Sequence, residues 1–302
     1  MALQSINIGS SANDGTGSTL RAAFDICNDN FSELYGGTTT ALAFKAEGTN
    51  FTGSLIIGHS TTGTISSATY NTALGIGAMD AITQGDYNTV IGYNAGTVLT
   101  TGAQNVLVGS TAGDSITSGN YNIAVGHGAL ATENTGMGNV AIGRNALHYL
   151  DTGNTAYNVA IGYEAGKQVT TSLRGVFIGG TTGDAVTTGS DNTAVGFAAL
   201  TEEDTGQKNT ASGAYAMKDN TTGTHNTATG YESLKTNISG ARNTAVGVYS
   251  MRYNTTGCDN VAVGYQTLKG NSSGKWNTAT GGYALYLNTS ACSNTASGYY
   301  AM

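Results

Sequence analysis

From Ser54 to Met302, polar and apolar positions recur with one short, fixed period. Specimens are Asn122-Ile-Ala-Val-Gly126, Asn139-Val-Ala-Ile-Gly143, Asn243-Thr-Ala-Val-Gly247 and Asn260-Val-Ala-Val-Gly264. The five-residue block starts at residues 54, 71, 88, 105, 122, 139, 158, 175, 192, 209, 226, 243, 260, 277 and 294, so every step but one is 17 residues. The long step, 139 to 158, carries two extra residues near Asp151-Thr-Gly-Asn154. Each block closes on Gly, and a second Gly falls three residues before most blocks, as at Gly85, Gly102, Gly119, Gly136, Gly189 and Gly257. Positions 1 to 17 are counted from the first residue of each block. A unit this short cannot hold a helical pair, which takes about 34 residues, or a four-stranded propeller blade.

β-Branched residues alternating with Ala and ending on Gly predict a strand and a turn. Each repeat therefore reads as one turn of a parallel β-solenoid, with two short strands and two corners. The Gly columns mark corners where φ is positive or backbones pass closely. At about 4.8 Å per step, the stack makes a rod roughly 67 Å long. Asn opens thirteen of the fifteen blocks (Ser54 and Gly175 are the exceptions), which predicts a ladder of side-chain amides along one edge. Positions 2 and 4, such as Val140, Ile142, Val261 and Val263, are expected to point inward. Leu130, Leu147, Leu200, Leu234 and Leu285 are expected to meet them from the other strand. Ala124, Ala141, Ala194 and Ala262, at position 3, then face outward, because side chains alternate across a strand. An outward Ala column on a thin core predicts burial against other copies, in a homotrimer.

Ahead of the repeats, residues 1–17 are Gly-, Ser- and Asn-rich and predicted to be extended. Ser18 or Thr19 caps a predicted helix over 19–35 that stops at Gly36-Gly37. Leu20, Phe24, Cys27, Phe31 and Leu34 fall on an a/d seam. The helix is too short to be stable alone, so three copies are expected to pack around the trimer axis. Residues 37–53, with Ala41-Leu-Ala-Phe-Lys45 and Phe51, are expected to link the parts and cover the first open edge of the solenoid. Residues 54–302 are the shaft.

Composition supports a repeat fold over a disordered linker: among 302 residues there are 45 Gly, no Pro and only 10% charged residues, with a net charge of −7. An acidic, charge-poor chain is not expected to bind nucleic acid. The first residues show no signal peptide, and no apolar run approaches a membrane span, so the expectation is a soluble protein made in the cytoplasm without membrane insertion. Cys258 and Cys292 share one repeat position two turns apart, about 9.6 Å along the stack. That exceeds the reach of a disulfide, and Cys27 is remote in sequence, so all three are expected to be free thiols. The sequence stops nine residues into its last turn, at Met302. The expectation is that further chain or another protein closes that end and carries the host-contacting tip.

Ile6-Asn-Ile-Gly-Ser-Ser-Ala-Asn-Asp-Gly-Thr-Gly-Ser-Thr-Leu-Arg-Ala-Ala-Phe-Asp-Ile-Cys-Asn-Asp-Asn-Phe-Ser-Glu-Leu-Tyr35 resembles the N-terminal segment of tailed-bacteriophage tail fibres and other virion structural proteins. In those, Asn-Asp-Gly-Thr-Gly precedes Leu-Arg and a helix closing on Asn-Phe. The repeats resemble the Asn-Thr-Ala-x-Gly-Tyr arrays of phage fibre shafts and, more loosely, the β-roll heads of trimeric autotransporter adhesins, which three chains build together. The period of 17 is longer than the usual adhesin head repeat. Nothing resembles a membrane anchor or a C-terminal intramolecular chaperone. The resemblance implies that residues 1–36 attach the chain to a virion.

Candidate chemistry is sparse. Asp80, Asp114 and Asp184 share position 10, and glycan-cleaving tailspikes are also solenoid trimers, but Asp at a turn has an ordinary structural reason. Glu202-Glu203-Asp204 reads as a solvated acidic turn. His59 and His127 follow the invariant Gly four turns apart and cannot share a metal within one chain. No catalytic, cofactor or metal site is assigned. Tyr215, Tyr249, Tyr283 and Tyr300 share a column that either packs between chains or stacks on the sugar rings of a host glycan. An ice-binding solenoid is disfavoured because no Thr-x-Thr array persists. The expectation is a non-enzymatic virion protein, a trimeric tail fibre. Its N-terminus docks on a phage tail or baseplate protein, and its distal end meets the host cell surface or a distal fibre protein. A glycan- or receptor-binding adhesin is the alternative, and a polysaccharide-degrading tailspike the third reading.

Overall fold

The computed structural model describes residues 44–45, 54–57, 66–153 and 155–302. Strand β1 (Phe44–Lys45) precedes β2 (Leu55–Ile57), and one three-residue strand per repeat follows, ending at β16 (Thr295–Ser297). All sixteen form one sheet in strict sequence order. From β2 onward every pair is parallel and in register, as where Ala141 of β7 (Val140–Ile142) meets Ala160 of β8 (Val159–Ile161). β1 runs antiparallel along the free edge of β2, with Phe44 opposite Ile57. Each connection between parallel neighbours is one full turn of chain, so the architecture is an all-β parallel solenoid. The described residues contain no helix. The helix expected over 19–35, with Leu20, Phe24, Cys27, Phe31 and Leu34, lies outside them, as does His59.

Among the described turns the expected second strand is absent. Positions 5 to 17 run as turns and bends, although they also stack: Thr83 N–H donates to Thr100 O (3.0 Å) and Thr100 N–H to Thr117 O (2.9 Å). The physical reason is backbone handedness. Positions 7, 9 and 17 are left-handed in turn after turn, as at Tyr249, Met251 and Asp259 (φ 59°, 49° and 59°), and such residues bend a chain that a strand would extend.

The expected direction of side-chain alternation is inverted. Ala124, Ala141, Ala194 and Ala262 are fully buried, whereas Ile142, Val261 and Val263 are 36%, 39% and 39% exposed and Val140 is half-buried. Leu130, Leu147, Leu200, Leu234 and Leu285 are buried, as expected, but on left-handed turn residues. These large side chains at position 9 fill the narrow interior, leaving room for only Ala at position 3. At Val90, Leu107 and Phe177, where position 3 is large, position 9 is Gly. A Cβ on Gly96 or Gly113 would stand 2.8 Å from the Leu107 side chain, and one on Gly183 would stand 2.3 Å from Phe177.

Asn at position 1 shares the inward face with Ala at position 3. Asn88 Nδ2 donates to Asn71 Oδ1 (3.0 Å) and to Gly102 O (2.9 Å), and its backbone N–H also donates to Asn71 Oδ1 (2.9 Å). The pattern repeats through Asn294. The ladder is thus interior, and each buried amide finds partners. It breaks at Gly175, where a Cβ would lie 2.5 Å from the Phe177 ring. The invariant Gly closes the strand with positive φ. At Gly143 (φ 133°) a Cβ would also sit 2.2 Å from Gly162 O of the next turn. The two extra residues of the long repeat leave β7 and β8 in register, with Met137 bridging Thr155 beside them.

Position 12 changes character along the rod. It is apolar and buried at Ile82, Leu99, Ile116, Leu150, Val169 and Val186, then becomes a second Asn ladder from Asn220 to Asn288. Glu203 stands at the junction and accepts from Asn220 Nδ2 and from Asn209 Nδ2 (3.3 Å). It is fully buried, which corrects the expectation of a solvated turn at Glu203 alone, since Glu202 and Asp204 are exposed as expected.

Candidate functional site

The solenoid presents two long surfaces on either side of the invariant Gly corner. The first is the outer face of the sheet, made by positions 2 and 4. From Val106 and Val108 through Val176 and Ile178 both columns are Val or Ile on five consecutive turns. Thr occupies position 2 at Thr72 and Thr89 and again from β10 (Thr193–Val195) onward except at Val261, but both columns are Thr only at Thr227/Thr229 and Thr278/Thr280. A continuous Thr-x-Thr array is therefore absent from the described strands. Beside this face position 17 places exposed rings at Tyr70, Tyr87, Tyr121, Tyr157 and Trp276, with Tyr70 and Tyr87 stacked at 4.9 Å. In the same column Arg174 pairs with Asp191 and Arg242 with Asp259 of the next turn, both at 2.6 Å.

The second surface lies past the Gly corner. Tyr215, Tyr249 and Tyr283, at position 7, alternate with Phe197, Tyr231, Tyr265 and Tyr299, at position 6 of the intervening turns. The result is one zigzag of rings with centroids 5.3–6.3 Å apart and neighbouring planes at 65–88°. Tyr300 ends it, stacked on Tyr283 at 4.6 Å and 3°. The sequence reading found the position-7 column alone. The missed signal is a 34-residue superperiod in which aromatic residues switch between two adjacent positions.

Cations flank these rings. Arg252 lies over Tyr249 (5.1 Å), Lys269 over Tyr249 (5.6 Å) and Lys235 over Tyr215 (5.8 Å). All three occupy position 10, the position that carries Asp80, Asp114 and Asp184 earlier in the chain. Glu232 ties two of them down, with Arg252 Nη2 at 2.5 Å and Lys235 Nζ at 3.4 Å. Residues 226–302 hold five Lys and Arg against two Asp and Glu, a net +3, while the chain as a whole carries −7.

The acidic candidates do not assemble. Asp80, Asp114 and Asp184 stay on separate turns; burial pushes the Asp114 and Asp184 carboxyls above their ordinary value. His127 is exposed at position 6. Among the described residues no three His, Cys, Asp or Glu side chains gather where they could hold a metal ion, and no helix is long and apolar enough to cross a membrane. Cys258 and Cys292 are free thiols. Burial, helped by the neighbouring Asp204 charge, pushes the Glu203 carboxyl up to about 8 against the hydrogen bonds it accepts. Glu133, at the same repeat position, accepts from Gly136 N–H (2.7 Å), Asn134 N–H (3.1 Å) and Thr152 Oγ1 (3.2 Å).

These features define a class, a parallel β-solenoid that displays an apolar sheet face and an aromatic, basic track. Comparison with protein-family models, with curated proteins and with solved structures finds no match to this chain.

Proposed function

We propose that this chain is the shaft of a trimeric fibre on a bacteriophage tail, structural and not enzymatic, with residues 1–36 docking it to a tail or baseplate protein. The observation that carries the reading is the outward Val/Ile face of the sheet. An unbroken apolar strip on five successive turns marks an interaction surface. Three copies that turn this face to a common axis bury it without leaving a free sheet face. The exposed rings of position 17 border the strip and would lie at the rim of such a seam. The Ala column that first suggested self-association does not support it, because that column is inside each chain.

Attachment to the virion rests on the resemblance of Ile6 to Tyr35 to phage fibre N-termini. A chain beginning at Lys45 is expected to assemble into β-rich trimers and to be missing from purified particles. Normal incorporation of that truncated chain would place docking elsewhere. The aromatic track favours a second reading, in which the solenoid surface itself grips the host and the fibre acts as an adhesin.

A further inference from the structure

We infer that the track from Phe197 to Tyr300 binds a linear, acidic polysaccharide laid along the rod axis, one disaccharide for every two turns. The inference deepens the host-attachment reading and rests on it. Three observations converge. First, the rings switch between positions 6 and 7 from turn to turn, so rings presented from the same position recur every second turn, as at Tyr231, Tyr265 and Tyr299. Two turns span about 9.6 Å, the length of an extended disaccharide of β-linked pyranoses. A single-stranded nucleic acid would instead use one similarly presented ring per base, which this alternation does not offer.

Second, the electron-rich face of a Tyr ring attracts the weakly positive C–H face of a pyranose. Tyr231, Tyr265 and Tyr299 keep 40%, 45% and 73% of their surface exposed, so ring surface is open to a ligand. Edge-to-face contacts with neighbouring turns hold each ring before the ligand arrives, which lowers the ordering cost of binding.

Third, the charge has the right sign and density. Lys235, Arg252 and Lys269 stand on three consecutive turns, and Glu232 offsets one of them, leaving two positive charges over three turns. That suits about one carboxylate per disaccharide. On the turns before Phe197 the same position carries Asp80, Asp114 and Asp184, and Lys167 is its one Lys or Arg.

The test is calorimetric binding of the full chain to size-graded oligosaccharides of hyaluronate, which has one carboxylate per disaccharide. Alginate oligosaccharides, hydroxyethyl cellulose, polyglutamate and oligo(dT) serve as comparison probes. Affinity for hyaluronate or alginate is expected to tighten with each added disaccharide and to fall at least tenfold in Tyr231→Ala/Tyr265→Ala. The surface pair Lys235→Gln/Lys269→Gln keeps the fold and is expected to weaken binding and flatten its salt dependence. Tyr265→Phe is expected to retain binding because the ring remains. Equal binding of polyglutamate or oligo(dT) would reduce the track to a charge effect and overturn the inference. So would equal binding of the neutral cellulose, or no binding of either acidic glycan. Such failures leave the fibre reading standing if the chain is still trimeric and still incorporated into particles.

Discussion

At the scale of single residues, two positions carry unusual physical loads. Gly143 holds a φ of 133° and leaves no space for a Cβ against Gly162 O. Gly143→Val is expected to cost more than the about 1–3 kcal/mol of backbone strain alone, because the next turn must also move away from the new side chain. Asp151→Ala, at an exposed site, is expected to leave the melting temperature nearly unchanged. Similar melting temperatures for the two variants would mean that the corner yields. Glu203 gives a pH prediction with a definite sign. Unfolded, it ionises near 4.5; folded, burial keeps it protonated up to about 8. Between those values the folded state holds a proton that the unfolded state has lost. The contribution to stability is therefore full below about 4.5, falls as pH rises through that window, and is flat above about 8. The slope is at most about 1.4 kcal/mol per pH unit. Glu203→Gln is expected to abolish this component, so thermal melts of the two proteins should diverge between pH 5 and pH 8. Parallel curves would show that Glu203 is ionised in the fold.

At the scale of elements, the turn is held by its interior ladders more than by its three-residue strand. Position 12 has an apolar solution in the first half of the rod, interrupted by buried Glu133, and an amide solution in the second. The amide solution is sensitive to deletion. Asn254 Nδ2 donates to Asn237 Oδ1 (2.8 Å) and Gly257 O (3.1 Å), and Asn254 Oδ1 accepts from Asn271 Nδ2 (2.8 Å). Asn254→Ala therefore leaves Asn237 Oδ1 buried without its donor, at about 1–3 kcal/mol before relaxation, while Gly257 O keeps Asn243 Nδ2 (2.8 Å) and Asn271 Nδ2 keeps Gly274 O (3.2 Å). It is expected to lower the urea midpoint well below that of Thr256→Ala, an exposed change on the same turn. Equal midpoints would mean that water replaces the lost amide.

At the scale of the whole molecule, the two surfaces divide labour. The Val/Ile face is the proposed seam between chains, and the aromatic track is the proposed contact with the outside. Light scattering of the purified chain is expected to give about three times the 30.6 kDa chain mass. Ile142→Lys/Ile161→Lys puts two charges on adjacent strands of the seam, where burial without a partner is costly. It is expected to yield single chains that keep the β-rich spectrum. A wild-type chain that is folded and monomeric would remove the trimer and leave the sheet face without its proposed role.

Much of this architecture was legible in the sequence, because a strict period forces like residues to stack whatever their contacts. The period of 17, the Gly corner and the Asn column together determined a parallel solenoid with a ladder of side-chain amides, though not that the ladder runs inside. Alternation also determined that positions 2 and 4 lie on one face and position 3 on the other. It could not say which face is inside, because alternation is symmetric until something else fills the core. The tertiary structure decided that point. Met and Leu at position 9, turned inward by left-handed backbone, occupy the interior and leave Ala as the residue that fits opposite. The exchange of Leu107 and Phe177 against Gly at position 9 was the sequence trace of that geometry. The Tyr column was likewise half visible. Its partner column appears only when rings from adjacent positions on successive turns are brought within 5.3–6.3 Å of each other, which the fold alone accomplishes.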